Sequence, residues 1–416
     1  MTEVAAPPLS SPPAAQTPSR LRTSVAFAGP AFLVAVGYMD PGNWGTDLAG
    51  GSRFGYRLLW VLAVSNAMAL FLQYLSAKLG IATGEHLATL IARNRRARSR
   101  IAYWLVIEGA MLATEMAEFL GVVVALRLLF PLNLSAAIAL GAAMVLGLIA
   151  VGGKRRRRLE RLIFGLLAVV GAAYVLELWL ASPSGDVVGG LVPGGLSGSA
   201  LPLAVGILGA TVMPHNLFLH SGLILSRAEQ ATDKRRVLRH STVETAVALN
   251  LALLVNAAIL IMAAATFHPA GKEIETLSQA HRTLAPLLGQ AAAGAFALAL
   301  LASGLASSMT GTLAGQMVLD GFLGLRLPLV VRRTVTMIPA IVVLAFGVGE
   351  VVALVWSQVV LSLVLPLAAW SLVSLTGDRR VMGGLVNGRA GRVAGRVVVV
   401  LLLVLNTTLL LSIVRG

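Results

Sequence analysis

Cysteine is absent from this chain of 416 residues, and charged residues make up only 12% of it. Without cysteine the chain can form neither a disulfide nor a thiolate metal site. Soluble domains carry about twice this share of charged residues, so the composition excludes an ordinary soluble protein. The 57% hydrophobic fraction and the mean hydropathy of +0.84 indicate a membrane protein instead.

Apolar runs of about 20 residues, long enough to cross a bilayer as a helix, recur along the whole chain. They predict an all-α polytopic membrane protein with eleven spans. The predicted spans cover residues 24–50, 56–80, 102–128, 131–151, 159–181, 201–225, 241–266, 285–315, 334–348, 351–374 and 394–413.

Two halves of five spans are predicted, residues 23–181 and residues 201–374, followed by the eleventh span at 394–413. The sixth span repeats a break found in the first, and an odd number of spans per half gives the halves opposite orientations. This is the inverted-repeat arrangement of secondary transporters. Residues 1–22, rich in Pro, Ala and Ser, are predicted to be a disordered tail. No removable signal peptide is expected.

Most of the 33 Lys and Arg residues lie in the tail or in alternate loops. The positive-inside rule therefore places the N-terminus in the cytoplasm and, after eleven spans, the C-terminus outside an integral plasma (inner) membrane. The net charge of +15 does not indicate nucleic acid, because the basic residues flank apolar spans. The basic run at 154–158 is predicted to face anionic lipid. No obligate protein partner is evident.

The first span is interrupted at residues 38–43, YMDPGN. Pro41 removes a backbone donor and Gly42 lowers the cost of non-helical dihedrals, so the helix is expected to break there. The break frees carbonyl groups beside Asp40 and Asn43, which are oxygen ligands. A carboxylate at membrane depth is costly and normally faces a cavity and a partner, so we interpret Asp40 as a functional group.

The sixth span repeats the break at residues 211–216, TVMPHN. Pro214 frees the Ala210 carbonyl, and Met213 offers a thioether directly before it. A methionine in an apolar helix is usually a packing residue, and its place at the break favours a ligand. Oxygen ligands with one thioether disfavour Mg²⁺ and Ca²⁺. The combination indicates Mn²⁺ or Fe²⁺ as the substrate, with Co²⁺ or Cd²⁺ also accepted.

Three glutamates, Glu108, Glu115 and Glu118, lie on one face of the third span at spacings of seven and three. They are predicted to form a proton or salt-bridge pathway rather than a solvated interfacial face. Arg332 and Arg333, at the inner start of the ninth span, are either their partners or inside-positive anchors.

Two histidines, His215 and His220, follow the second break. An imidazole at this depth is either a proton carrier or a packing residue, and the sequence leaves both interpretations open. Gln358, in the tenth span, adds one further amide oxygen within an apolar run.

These residues resemble the Nramp family of proton-coupled divalent metal-ion transporters, especially its bacterial manganese-importing branch. The resemblance extends over residues 24–412. The matching motifs are residues 40–43 (DPGN), 213–216 (MPHN), 117–119 (AEF), 311–315 (GTLAG) and 332–334 (RRT), together with Glu108. The resemblance implies a LeuT-type fold with alternating access by rocking of spans one and six.

The resemblance also implies functional residues. Metal ligands fall on Asp40, Asn43, Met213 and the Ala210 carbonyl, and the Gly37 carbonyl and Gln358 join in some conformations. The proton route falls on Asp40, Glu115, Glu118, Arg332 and Arg333, with His215 nearby. The metal is the substrate and H⁺ the coupling ion, so no cofactor is expected.

The chain departs from the common bacterial pattern at three positions. Glu115 stands where the bacterial relatives usually have aspartate, and Trp44 and Asp47 follow the first break. The alternative interpretation is an organic-substrate symporter, for example for amino acids, which would not need Met213. An intramembrane enzyme using His215 and Asp40 is disfavoured, because no nucleophile is apparent.

Overall fold

The computed structural model describes residues 29–93, 95–152, 156–183, 186–196 and 198–415. The predicted tail at 1–22 lies outside the described residues, as does part of the basic run at 154–158. The described residues form α-helices joined by turns and short 3₁₀ segments, with no β-strand among them. The prediction of an all-α chain is confirmed.

The first half of the chain forms seven helices. The first span is divided into two short helices, because α1 ends before the Asp-Pro-Gly break and α2 begins at Pro41. A further short helix, α4, lies between spans two and three. The helices are α1 Pro30–Gly37, α2 Pro41–Phe54, α3 Leu59–Thr83, α4 Leu87–Arg93, α5 Ala97–Leu129, α6 Leu134–Gly152 and α7 Arg156–Ala181.

The second half repeats the broken helix and ends with the eleventh span. The helices of this half are α8 Ala200–Thr211, α9 Pro214–Leu223, α10 Leu225–Glu229, α11 Lys234–Thr266, α12 Leu277–Leu288, α13 Gln290–Leu323, α14 Leu329–Thr336, α15 Ile338–Ala345, α16 Glu350–Gly377, α17 Arg379–Met382 and α18 Arg389–Arg415.

The structure corrects two predicted spans. The eighth span was expected at 285–315, but a separate helix, α12, ends at Leu288 and the spanning helix α13 continues to Leu323. The ninth span was expected at 334–348, but it begins at Leu329 and divides at Met337 into two helices of eight residues. Pro339 lies in the first turn of the second helix and lacks an N–H, which accounts for the division.

Nine helical stretches in the described part of the chain are long and apolar enough to cross a membrane. This number is smaller than the eleven predicted spans for two reasons. Helices α2 and α3 form one continuous stretch, and each helix of the divided ninth span has only eight residues, too few to cross a membrane alone. The broken helices lie at the centre: α2 packs against α11 and α16, and α8 packs against α16. The windows over α6, α7 and α18 are buried for only 22–28% of their residues. These three helices therefore lie at the periphery of the helix bundle.

Candidate metal site and acidic network

The first helix break places a buried carboxylate at the start of α2. Asp40 is its N-cap residue, and its Oδ1 accepts hydrogen bonds from the backbone N–H of Asn43 at 2.9 Å and from Asn43 Nδ2 at 2.8 Å. Its Oδ2 has no partner among the described residues, and the side chain is fully buried. An orphaned carboxylate oxygen at this depth is an available cation ligand.

The second break places a thioether at the start of α9. Met213 occupies the N-cap position and Pro214 the first helical position. Because Pro214 has no N–H, the Ala210 carbonyl lacks the donor that a continuous helix would supply. Asn216 donates through Nδ2 to the Met213 sulfur at 3.6 Å. This contact orients the thioether, and it leaves Asn216 Oδ1 without a partner among the described residues.

Two glycines allow the elements around the breaks to approach closely. A Cβ added to Gly37 would lie 2.6 Å from Nδ2 of Asn216, so the two breaks meet at this point. A Cβ added to Gly42 would lie 1.8 Å from Nε2 of Gln358 and 3.2 Å from Oδ1 of Asp40. The buried Gln358 therefore lies beside the first break, with its Oε1 unpartnered among the described residues.

Two polar residues that the sequence analysis did not single out complete the first break. Asn256, on α11, donates through Nδ2 to the Tyr38 carbonyl at 2.7 Å and to Oδ1 of Asn43 at 3.3 Å. Ser303, on α13, donates its hydroxyl to the Met39 carbonyl. The only sequence signal for either residue is a lone polar side chain in an apolar helix.

The arrangement brings carboxylate, amide, carbonyl and thioether groups to the two breaks. No group of three or more His, Asp or Glu side chains that could hold a metal is found in the described ranges. Any metal ligation here therefore uses one carboxylate and several neutral ligands. Asn43 donates to Asp40 in this structure, and a half-turn of its amide would present its oxygen instead.

The acidic face of α5 meets both arginines of α14. Arg332 contacts Glu108 at 2.7 Å and Glu115 at 3.5 Å, and Arg333 contacts Glu115 at 2.8 Å and Glu118 at 3.2 Å. Both arginines lie within the helix and are buried, which identifies them as partners of the glutamates rather than as exposed anchors. Three carboxylates face two guanidinium groups, so the network has one acidic group more than its arginines can neutralise.

Neighbouring hydroxyls and glycines fit this network closely. Thr336 donates its hydroxyl to Glu115 Oε2, and the Ser308 hydroxyl lies 2.8 Å from Nη2 of Arg333. A Cβ at Gly311 would lie 2.6 Å from Oε1 of Glu118, and a Cβ at Gly315 would lie 2.1 Å from Nη2 of Arg332. The two glycines of residues 311–315 therefore leave the space that the acidic and basic side chains occupy.

The two histidines of α9 have different surroundings. His215 Nδ1 lies 3.2 Å from the Thr114 hydroxyl on α5, and its Nε2 has no partner among the described residues. His220 Nδ1 lies 2.9 Å from Gln73 Oε1, and Gln73 donates to the Tyr38 hydroxyl at 2.8 Å. His220 is thus linked through Gln73 to Tyr38 of the first break, whereas His215 faces α5, which carries the glutamates.

Two helices broken at mid-length, with buried polar groups at the breaks, define a membrane transporter with its substrate site between two halves. The sequence model of the family described as natural resistance-associated macrophage protein-like, Nramp, matches residues 31–412. The chain belongs to the Nramp family and is a transporter, not an enzyme. The resemblance to this family predicted from the sequence motifs is confirmed.

Similar proteins extend over nearly the whole chain. The divalent metal cation transporter MntH of Aeromonas hydrophila is 44% identical over 391 residues, covering 93% of this chain and 95% of that protein. MntH of Verminephrobacter eiseniae is 46% identical over 365 residues, covering 87% of this chain and 83% of that protein. A crystal structure of the Eremococcus coleocola manganese transporter superposes with a TM-score of 0.85 at 35% identity, covering 94% and 87%.

A more distant structure has the same fold. Mhp1, a transporter of the nucleobase-cation-symport-1 family, superposes in a closed conformation with a TM-score of 0.62 at 17% identity, covering 85% of this chain and 79% of Mhp1. The predicted fold class, a LeuT-type inverted repeat with spans one and six broken plus an eleventh helix, is confirmed. The residue boundaries of the two repeats remain a prediction.

Proposed function

We propose that this protein imports divalent transition-metal ions, Mn²⁺ first and Fe²⁺ next, in symport with protons by alternating access. Membership of the Nramp family and the names of its relatives, divalent metal cation transporter and manganese transporter, support the metal as substrate. They disfavour an organic-substrate symporter. Co²⁺ and Cd²⁺ would be accepted as further substrates.

The observation that carries the proposal is the unpartnered Oδ2 of the buried Asp40 at the first break. In the proposed site Asp40 supplies the negative charge, while Asn43, Gln358 and the carbonyls of Gly37 and Ala210 supply neutral oxygens. Met213 adds the sulfur that favours softer divalent ions over Mg²⁺ and Ca²⁺. The use of a single carboxylate suits a substrate that must also be released.

The network of α5 and α14 supports proton coupling. Its surplus carboxylate can carry a proton without leaving an unpaired charge, since the two arginines neutralise the other two glutamates. The helix that carries the glutamates also contacts the first break, since a Cβ added to Gly121, three residues after Glu118, would lie 2.3 Å from Cγ of Pro41. In the proposed route Asp40 passes the proton to Glu118, Glu115 and Glu108, with Arg332 and Arg333 holding the carboxylates in place and His215 assisting.

The proposed orientation has the N-terminus in the cytoplasm and the C-terminus outside the plasma (inner) membrane. The basic inner loops support this orientation, and their charge would attract anionic lipid. The end of α7 then lies on the outer side and Glu108 toward the inner side. A metal ion entering from outside therefore reaches Asp40 before the proton network.

Uptake of Mn²⁺ into reconstituted vesicles tests the proposal. We expect an inward-directed proton gradient to stimulate uptake, and Asp40→Asn to lower it by about 100-fold or more, because a charged ligand is lost. Asp320→Asn is the matched control, since Asp320 pairs with the exposed Arg326 and its loss should leave uptake near the parent rate. Unchanged uptake by the Asp40→Asn protein would refute the site.

A further inference from the structure

Three buried polar side chains lie outside the proposed metal site and the proton network. They are Asp47 on α2, and Tyr174 and Glu177 on α7, and each is at most 1% exposed. The two carboxylates and the tyrosine hydroxyl all lack a hydrogen-bond partner among the described residues. Unpartnered acidic groups at membrane depth normally mark an ion pathway.

The three side chains continue from the first break in one direction. Asp47 follows Asp40 by seven residues on the same helix, or about 10 Å along its axis. Trp44, one turn before Asp47, packs edge-on against the Tyr174 ring with centroids 5.0 Å apart. This contact places the Tyr174 ring beside the turn of α2 that leads from Asp40 to Asp47.

The direction of this series is outward in the proposed orientation. Glu177 lies one turn beyond Tyr174 and four residues before α7 ends at Ala181. The series Asp40, Asp47, Tyr174 and Glu177 thus runs from the substrate site toward the outer end of α7. It differs from the inner network because no salt bridge to an arginine or lysine is found for any of these carboxylates in the described ranges.

The absence of a basic partner indicates what the series can bind. An arginine would repel a divalent cation, and the inner network contains two of them. Carboxylate and hydroxyl oxygens are hard ligands that suit hydrated or partly hydrated divalent ions. Successive single-carboxylate positions bind such an ion weakly enough for it to move on, which a passage requires and a tight storage site does not.

We propose that Asp47, Tyr174 and Glu177 form an outer approach path of oxygen ligands that receives the divalent cation and passes it to Asp40. The inference rests on the proposed function and its orientation. The three groups are sealed in this structure, so the path serves the conformation that opens to the outside. The path attracts the ion by charge, while the central site holds and selects it.

Initial rates of Mn²⁺ uptake test the path. Asp47→Asn and Glu177→Gln should each raise KM by about tenfold with the maximal rate unchanged, because electrostatic attraction acts on the capture of the ion. Tyr174→Phe should raise KM by a smaller factor. Glu177→Asp keeps the charge and should restore a KM near the parent value. Glu275→Gln removes an exposed acidic group outside the path and should leave KM unchanged.

A KM within twofold of the parent for both Asp47→Asn and Glu177→Gln would overturn the path, as would a lower maximal rate at unchanged KM. A result with Asp40→Asn bears on the proposed function instead, so the two failures are distinguishable. Crystals of the parent protein in its outward-open conformation, soaked in Mn²⁺, provide a readout that needs no variant to fold. Anomalous density beside Asp47 and Tyr174, in addition to Asp40, is expected, and density at Asp40 alone at saturating Mn²⁺ would contradict the path.

Discussion

Arg333 is the side chain whose removal should affect stability most directly. It is fully buried and contacts Glu115 at 2.8 Å, Glu118 at 3.2 Å and the Ser308 hydroxyl at 2.8 Å. Replacing it with methionine, of similar length but uncharged, leaves two buried carboxylates without this partner. Removing one member of a buried ion pair typically costs 3–5 kcal/mol. Because Arg333 serves two carboxylates, we expect a loss of about 5 kcal/mol in the free energy of unfolding.

A loss of this size is a large fraction of the roughly 5–15 kcal/mol that stabilises a typical folded protein. Denaturant titration of the purified protein in detergent micelles should therefore show a much lower midpoint for Arg333→Met. Arg333→Lys keeps the charge but loses the planar fork that reaches three acceptors, and we expect an intermediate loss of about 2 kcal/mol. Arg93→Met is a matched control, because the exposed Arg93–Glu85 pair should contribute less than about 1 kcal/mol.

If the two uncompensated carboxylates cause the loss of stability, removing their charges should restore it. Combining Arg333→Met with Glu115→Gln and Glu118→Gln removes those charges, so the triple variant should regain most of the lost stability. If the triple variant is no more stable than Arg333→Met alone, packing rather than charge determines the effect and the reasoning is wrong. A loss below about 1 kcal/mol in the single variant would refute it as well.

Three further changes test other parts of the structure. Met213→Ala should weaken Cd²⁺ binding by about tenfold and let Ca²⁺ compete in uptake assays, because the soft ligand is lost. Gly209→Ala would place a Cβ 2.0 Å from a carbonyl oxygen of α16 and should lower the free energy of unfolding by about 1–3 kcal/mol in denaturant titration. Gly147→Ala is the control, because open space surrounds this position and the change should be neutral or stabilising. Glu244→Gln should favour opening of the inner end of α1. The reporter is a cysteine introduced by Val34→Cys in this cysteine-free chain, and a thiol reagent should label it roughly 5- to 30-fold faster when Glu244→Gln is also present.

The Glu244 prediction follows from how α1 is held. Its carboxylate accepts hydrogen bonds from the N–H groups of Gly29 at 2.8 Å and Ala31 at 3.3 Å, and it pairs with Arg227 at 2.6 Å. Equal labelling rates in the presence and absence of Glu244→Gln would contradict this role.

For Met213→Ala, unaltered exclusion of Ca²⁺ would show that the shape of the site, and not sulfur, selects the ion. For Gly209→Ala, parent-like stability would show that α8 and α16 can separate without cost.

The features predicted correctly from the sequence are those with local physical causes. Pro41 and Pro214 remove backbone donors within apolar runs, and Gly42 lowers the cost of non-helical dihedrals beside Pro41, so both breaks follow from local residues. The spacing of Glu108, Glu115 and Glu118 places them on one helix face, as the structure shows. The pairing with α14 was one of two open interpretations, because a basic residue at an inner span end is also expected from topology.

The features that could not be predicted depend on distant contacts. Asn256 and Ser303 bind the carbonyls of the first break from helices more than 200 residues away, and a lone polar residue in an apolar span does not reveal its partner. Gln358 lies against Gly42 only because two helices pack without an intervening side chain. The division of the ninth span at Met337 was missed, since the apolar run continues across it and Pro339 was not interpreted as a break.

The two sides of Asp40 differ in a way that separates the proposed routes of metal and proton. On one side Asp47, Tyr174 and Glu177 offer oxygen groups without a guanidinium, and on the other side α5 presents its glutamates to two buried arginines. A divalent cation is attracted to the first side, whereas on the second side two guanidinium groups neutralise two of the three carboxylates. A proton can move along the second, because protonating the surplus carboxylate leaves each arginine with a partner. The proposed inward route therefore suits a proton better than a divalent cation, because guanidinium groups already hold its carboxylates.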